Sequence, residues 1–352
     1  MLINGKYYYE GNLNLNGQLY PIKNEIFDKN KEKIIKGKDE DEEKKEINKL
    51  KSIEQKIYYK YNDKGVLIHK LTGQKCGLLG KEEYELVGKY VEKYIEIYLI
   101  KKFNLKTLYV PNIYSSDFTK RDKNQAQCKI LTTQDFPTNQ KCLIIIQGGG
   151  PVKLGQWARS VCINDNLNLG SMIPYVNKAI KNNFSVIIFN PNERTDFSDY
   201  SKFIQEFYSN EKHSLYVYNN IVKKNRNIKE IYIVAHSMGG DCTIEILLNN
   251  KDDLINGRIK KIAFTDSVHG NKYLLLDEKS KEIFRKISRN YVRSQMPVGT
   301  FLKSYNQSIG GTDCYSSGNV KHEYTSGYAI EDIFNFFQSQ ENYEYAFTNY
   351  YF

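Results

Sequence analysis

The sequence predicts an α/β fold with a mostly parallel sheet covered by helices on both faces. Three observations carry this reading. Short uninterrupted apolar runs recur at residues 143–147, 185–190, 230–235 and 260–266. Segments with apolar side chains at helical spacing separate them. Glycine, proline or asparagine closes most of the runs. Strands buried on both faces read as continuous apolar runs, and their alternation with amphipathic helices means βαβ units.

In chain order, residues 1–56 are expected to be a charged, partly disordered extension. A mixed-charge run covers 28–56, with 39–43 all acidic before Lys44 and Lys45. Such a stretch buries little apolar surface, so it reads as a solvated helix or an arm. The folded domain is expected at 57–340 and a tail at 341–352. Residues 58–69 read as a hairpin around Asn62-Asp63-Lys64-Gly65. Val87, Val91, Ile95 and Tyr98 place a long amphipathic helix over 82–103. Residues 111–139 read as loop with one strand near 128–131. The run 143–147 is the first core strand and ends in Gly148-Gly149-Gly150. Ile173, Val176 and Ile180 mark a helix over 171–182, and Pro191 stops the strand at 185–190. Leu215, Tyr218, Ile221 and Val222 mark the next helix. Ile244, Leu247 and Leu248 follow the strand at 230–235. After the strand at 260–266, a last helix carries Ile330, Ile333, Phe334 and Phe337.

Composition bounds the function. The 352 residues are 40% hydrophobic and 26% charged, which fits a folded globular protein and excludes a wholly disordered one. The net charge of +10 could draw nucleic acid, but lysine, asparagine, isoleucine and the 29 tyrosines are spread throughout. The charge therefore reads as background, and direct nucleic-acid binding is not expected. No run approaches 18 apolar residues, so no membrane span is expected. Residues 1–11 lack the apolar core of a secretion signal, so secretion is not expected. The six cysteines show neither Cys-x-x-Cys nor zinc spacing and read as reduced core thiols. No cofactor or metal is expected. Lys153 stands where a dinucleotide fingerprint needs its third glycine. Glu82 follows Gly80-Lys81 where a P-loop needs Ser or Thr, and Ser326 stands where a zincin needs its second His.

The sharpest local feature is residues 231–240, which read as strand, tight turn and helix. Ala235-His236-Ser237-Met238-Gly239 resembles the Gly-x-Ser-x-Gly elbow of α/β-hydrolases, with Ala235 in place of the first glycine. The flanking residues must be small because the chain turns sharply there. The elbow would lift the Ser237 hydroxyl above the sheet and aim the Met238 N–H at an oxyanion. Gly148-Gly149-Gly150 stands where esterases carry an oxyanion loop, with Gln147 in the place of its usual histidine, so Gly149 or Gly150 is the second donor. The acid and base follow in hydrolase order. Asp266 ends a strand and His322 precedes the last helix. Ser237 is the expected nucleophile, His322 the base and Asp266 the acid, with Asp313 as the alternative acid. The fold expected is an α/β-hydrolase-like three-layer sandwich.

Further residues surround this constellation. Gln147, Trp157, Arg159, His236 and His269 are expected around a substrate or partner pocket. Arg159 either faces the pocket and binds an anion, or pairs with Asp165 or Glu193 while Trp157 fills the core.

Several blocks in order resemble the Argonaute-binding Arb-two domain family. They are Gln147-Gly148-Gly149-Gly150, Gly155-Gln156-Trp157-Ala158-Arg159, Ile163-Asn164-Asp165, Ile173-Pro174-Tyr175 and Asn190-Pro191-Asn192-Glu193. Residues 234–240, 264–269, Gly311-Thr312 and His322-Glu323 continue the match. The likeness spans 58–338, apart from an insert between Thr312 and His322. It implies an α/β-hydrolase-like fold, a serine triad and a place in Argonaute-linked small-RNA silencing, heterochromatin formation or cotranscriptional regulation. An Argonaute-type protein is the partner it implies, with residence in the nucleus or cytoplasm. The alternative is an active serine hydrolase acting on a small ester, thioester or amide.

Overall fold

The computed structural model describes residues 2–3, 6–7, 40–54, 57–303 and 310–339. Most of the expected extension and the tail at 341–352 lie outside these residues. Strands β1 (Leu2–Ile3) and β2 (Lys6–Tyr7) pair with each other. Helix α1 (Glu40–Glu54) lies within the charged run, yet it is not wholly solvated. Leu50 is fully buried, and Ile47 and Ile53 pack beside it. Their three-residue spacing makes one apolar stripe among the charges, enough to dock the helix. It packs on α2 (Lys81–Phe103), with the hairpin β3 (Tyr59–Tyr61) and β4 (Leu67–His69) between them in sequence.

The rest of the chain alternates strands and helices. In order come β5 (Lys106–Val110), β6 (Cys128–Thr132), β7 (Lys141–Ile146), α3 (Arg159–Asn164), α4 (Leu167–Gly170), α5 (Ile173–Lys181) and β8 (Ser185–Ile188). Then follow α6 (Asn210–Val217), β9 (Glu230–His236), α7 (Gly239–Asn249), α8 (Lys251–Ile255), β10 (Ile259–Thr265), α9 (Glu278–Ile287), β11 (Ser288–Val292), β12 (Asp313–Ser316) and α10 (Thr325–Gln338).

Eight of these strands form one sheet, ordered β5-β6-β8-β7-β9-β10-β11-β12. Only β6 runs against its neighbours. This is the α/β-hydrolase-like three-layer sandwich that the sequence predicts. Side chains alternate between two cores. Leu143, Ile145, Tyr232 and Val234 face the layer holding α2, α5 and α10. Ile144, Ile146, Ile231 and Ile233 face the layer holding α6, α7 and α9. Burial on both faces explains why these strands read as unbroken apolar runs. Strand β7 lies between β8 and β9, so the chain reverses direction across the sheet there, and ligands of open α/β sheets bind at the carboxyl ends of such strands. The six cysteines form no disulfide with one another and are buried.

Candidate active site

Strand β9 ends at His236, and α7 starts at Gly239. Ser237 between them has φ of 51°, in the left-handed region that costs a non-glycine residue free energy. The surrounding residues fix this turn. Added Cβ atoms would stand 2.8 Å from the Ile146 carbonyl oxygen at Gly239 and 1.7 Å from Ser267 Oγ at Gly240. Only glycines let the first turn of α7 close this tightly on its neighbours. Ala235 is wholly buried in the sheet, where its methyl fits, so the missing first glycine of the elbow leaves the turn intact.

The neighbouring strand presents Asp266 in the same way. Asp266 follows β10, also with positive φ, at 45°. The Ser237 N–H donates to the Thr265 carbonyl at 3.1 Å, and the Asp266 N–H donates to the Tyr291 carbonyl at 2.9 Å. Both residues thus stand one step past the end of paired parallel strands, on one rim of the sheet.

His322 comes from a single turn of 3-10 helix before α10. Its Nδ1 bonds Asp266 Oδ2 at 2.6 Å across 56 positions of sequence. Arg293, just past β11, donates from Nε to the same oxygen at 2.8 Å. Burial pushes the Asp266 carboxyl up. The hydrogen bond and charge of His322 outweigh burial, with help from the Arg293 guanidinium and backbone N–H, and hold it below the usual carboxylate range. The His322 ring lies 4.6 Å from that of His236. Among the described residues, no hydrogen bond joins Ser237 Oγ to His322.

His236 is buried, and its Nδ1 bonds the Thr265 carbonyl at 2.9 Å. A carbonyl only accepts, so the proton sits on Nδ1. Burial first, then the charge of His322, lower its pKa to about 4. It is a neutral plate beneath His322.

The glycine loop closes the site. A Cβ on Gly148 would stand 3.1 Å from Ser237 Cβ, and one on Gly149 would stand 3.3 Å from Met238 Cε. Gly150 has φ of 89°. Among the described residues, no hydrogen bond occupies the N–H of Gly149, Gly150 or Met238. Asn192 holds the loop, donating from Nδ2 to the Gly148 carbonyl at 2.8 Å and the Val152 carbonyl at 2.9 Å. Asn210 donates to Asn192 Oδ1 at 2.7 Å and fixes the direction of that amide.

The structure therefore gathers Ser237, Asp266, His322, Met238 and the glycines on one rim, with His236 behind them. The other expected residues divide. Gln147 is buried and donates to the Val152 carbonyl at 3.2 Å, bracing the loop from inside. Trp157 is core, edge-on to Tyr175 at 5.1 Å and His236 at 6.3 Å. Arg159 turns to α2, where it meets Glu85 at 3.0 Å and lies over the Tyr84 ring. It pairs with neither Asp165 nor Glu193, because α2 crosses directly over α3 and offers a nearer carboxylate. His269 has both ring nitrogens engaged, with Ser267 Oγ at 2.6 Å and the Gly310 carbonyl at 3.0 Å. It braces the loop after Asp266. Asp313 begins β12, at the amino end of a parallel strand and on the rim opposite Ser237. The acid beside His322 is Asp266.

Two roles escape sequence reasoning. Asn192 stands in the block Asn190-Pro191-Asn192-Glu193, but its bracing of the glycine loop shows only once that loop is folded beside it. Arg293 is one of eight arginines with no signal of its own until β11 is known to end beside it. Among the described residues, no group of three or more His, Cys, Asp or Glu side chains is placed to hold a metal ion. No helix among them is long and apolar enough to cross a membrane.

Comparison with known proteins places these features in context. The model of the family described as Arb2 domain matches residues 42–298, a span that includes Ser237, Asp266 and Arg293 and ends before His322. The chain is similar to a Dictyostelium discoideum protein named cotranscriptional regulator ARB2A homolog, 34% identical over 330 residues, covering 82% of this chain and 79% of that one. The human cotranscriptional regulator ARB2A is 28% identical over 339 residues, covering 79% of this chain and 78% of that one. A solved histone deacetylase chain from Saccharomyces cerevisiae is 12% identical with a TM-score of 0.41, covering 72% of this chain and 96% of that one. That likeness in trace is too distant to bear on function.

Proposed function

This chain belongs to the Arb2 domain family, and on that footing we propose that it works in cotranscriptional regulation or small-RNA-linked silencing and carries a working acyl-transfer site. The observation behind the acyl-transfer part is the 2.6 Å bond from His322 to Asp266 on the rim where Ser237 is held at positive φ. Structural packing alone gives no reason to hold two non-glycine residues in the left-handed region side by side. Strain of this kind clusters at functional sites.

The chemistry is that of an ester, thioester or amide. Ser237 Oγ attacks the acyl carbon while its proton passes to His322 Nε2. The oxygen of the tetrahedral intermediate takes hydrogen bonds from the Met238 and Gly149 N–H groups, close to the start of α7. His322 then gives the proton to the departing alcohol, thiol or amine. Water attacks the acyl-serine, again losing a proton to His322, and the acid leaves as Ser237 regains its hydrogen. Asp266 holds the imidazole with Nδ1 protonated and steadies the imidazolium as it forms. The Ser237–His322 hydrogen bond forms as substrate engages.

A fluorophosphonate probe tests this directly. Labelling that vanishes in Ser237→Ala and in His322→Gln supports the enzyme. An absence of labelling in a protein shown to be folded leaves the second reading, a hydrolase-like scaffold. The names of the relatives favour that reading, and an Argonaute-type partner is the one the sequence resemblance implies. Affinity purification from its own cells should then recover an Argonaute protein, and repeated failure to do so counts against that partner. Residence in the nucleus belongs to the same proposal and is read by fluorescence of a tagged chain.

A further inference from the structure

One carboxylate oxygen at the site serves two donors. Asp266 Oδ2 accepts from His322 Nδ1 at 2.6 Å and from Arg293 Nε at 2.8 Å. The Arg293 backbone N–H adds to the same carboxylate. In a serine triad the acid stabilises the imidazolium that forms as serine loses its proton. A fixed cation on the same oxygen draws off part of that stabilisation and repels the second positive charge. We propose that Arg293 is a positioning residue of the triad: it orients Asp266, and by sharing the carboxylate with His322 it holds down the strength of the base. This rests on the acyl-transfer reading above.

The arrangement is built rather than incidental. Arg293 is the first residue beyond β11, as Asp266 is the first beyond β10, and Tyr291 in β11 accepts the Asp266 N–H. The sheet itself sets the guanidinium beside the acid. Asp266 is mostly buried, with 12% of its side chain exposed, whereas Arg293 is 58% exposed. The cation can therefore be removed without opening a cavity. Other charges around His322 are accounted for. His236 faces it from β9 and is neutral near pH 7, because its pKa lies at about 4. Lys321 and Glu323 flank it with opposite signs on its own turn. Just past α3, Asp165 is paired with Lys75 at 3.1 Å. From β12, burial keeps the Cys314 thiol protonated, its pKa raised to about 12. Arg293 is the cation in contact with the acid.

Two readouts on Arg293→Gln and Arg293→Lys test the proposal. The first is the rate of fluorophosphonate labelling against pH. Without the cation, the acid limb should move up by about half a unit to one unit, an amount discounted for the exposure of the guanidinium. The plateau rate should rise by about twofold to threefold, as a stronger base gives partial Brønsted gain. The second is the proton resonance of the His322 Nδ1–H, assigned by its loss in His322→Gln. It should move downfield in Arg293→Gln as the carboxylate regains charge density, and Arg293→Lys should restore both readouts towards the parent protein. A labelling rate that falls with no movement of the acid limb makes Arg293 a structural brace and overturns the proposal, as does a resonance that stays in place. Should no variant label at any pH, the acyl-transfer reading fails, and the resonance alone decides whether Arg293 weakens the acid.

Discussion

Gly148 lies so close over Ser237 that a Cβ there would stand 3.1 Å from Ser237 Cβ and 3.0 Å from His236 Cδ2. The first neighbour is a bonded turn and the second a buried ring, so neither can give way. Gly148→Ala should push the loop off the serine and misplace its N–H donors. Labelling by the fluorophosphonate should fall about 100-fold, the effect of losing one oxyanion donor, while thermal unfolding shows the fold retained. Labelling at the parent rate would mean that the loop is not part of the site.

Ser237 carries the cost of its φ of 51°. Replacing it with glycine should remove most of that cost, raising stability in urea unfolding by about 1 kcal/mol. Ser237→Ala should gain less, since alanine keeps the Cβ that makes the conformation unfavourable. Both lose the labelled hydroxyl. If the glycine variant is less stable than the alanine variant, the turn is not strained.

His213 is wholly buried against Phe207, 4.6 Å between ring centroids, and among the described residues neither ring nitrogen has a hydrogen-bond partner. Burial alone lowers its pKa to about 3. An unpaired buried polar group costs about 1–3 kcal/mol, so His213→Phe, which keeps the ring shape, should stabilise the chain by about 1 kcal/mol. A loss of stability would mean that the nitrogens are satisfied by water.

Acid should unfold the protein earlier than a surface-histidine protein of similar size. Burial holds His213 at about 3 and His236 and His269 at about 4, whereas the unfolded rings titrate near 6.5. Their contribution is intact above the unfolded value and is lost as pH falls from 6.5 towards 4, because there the unfolded chain binds protons that the folded chain refuses. Three such protons set an upper slope of about 4 kcal/mol per pH unit. Glu92 and Asp241, raised by burial, oppose it. Urea unfolding at pH 7, 6 and 5 measures the slope, and His213→Phe should lower it by about one proton. A flat profile contradicts the neutral burial of these rings.

Leu50 is the buried centre of the stripe that docks α1 on α2. Leu50→Ala should destabilise by about 2–4 kcal/mol, and Lys51→Ala, one residue on and exposed, by far less. Equal effects would show that the helix does not pack.

What the sequence revealed tracks how deeply each segment is buried. The strands β7, β8, β9 and β10 are apolar throughout because helices cover both faces, and the elbow at Ser237 stood out because its small residues follow such a strand. Strand β5 escaped notice because its Lys106 and Thr107 are exposed or half-exposed near the sheet edge. Strand β11 escaped because Ser288, Arg289 and Asn290 break its apolar pattern and it follows α9 with no turn between them. Missing β11 also hid Arg293, whose meaning comes only from its place at a strand end. Arg159 meets Glu85, and neither faces the pocket nor pairs with Asp165 or Glu193, for a related reason. Which acid lies nearest is decided by the crossing of α2 over α3, and nothing local in sequence encodes that crossing.

Parallel pairing sets Ala235 beside Phe264 and His236 beside Thr265, so the next step brings Ser237 and Asp266 abreast. Ser237 and Asp266 thus stay aligned by backbone counting. Added or deleted residues in the connections at the far edge, near Arg226 or Asn256, leave that count untouched. The register shift between Ile259 and Lys261 shows that the start of β10 already absorbs one extra residue. One residue inserted between Tyr232 and His236 or between Lys261 and Thr265 would instead bring a residue other than Ser237 or Asp266 to the rim. The molecule is accordingly tolerant of a change in length on one side and intolerant of it on the other.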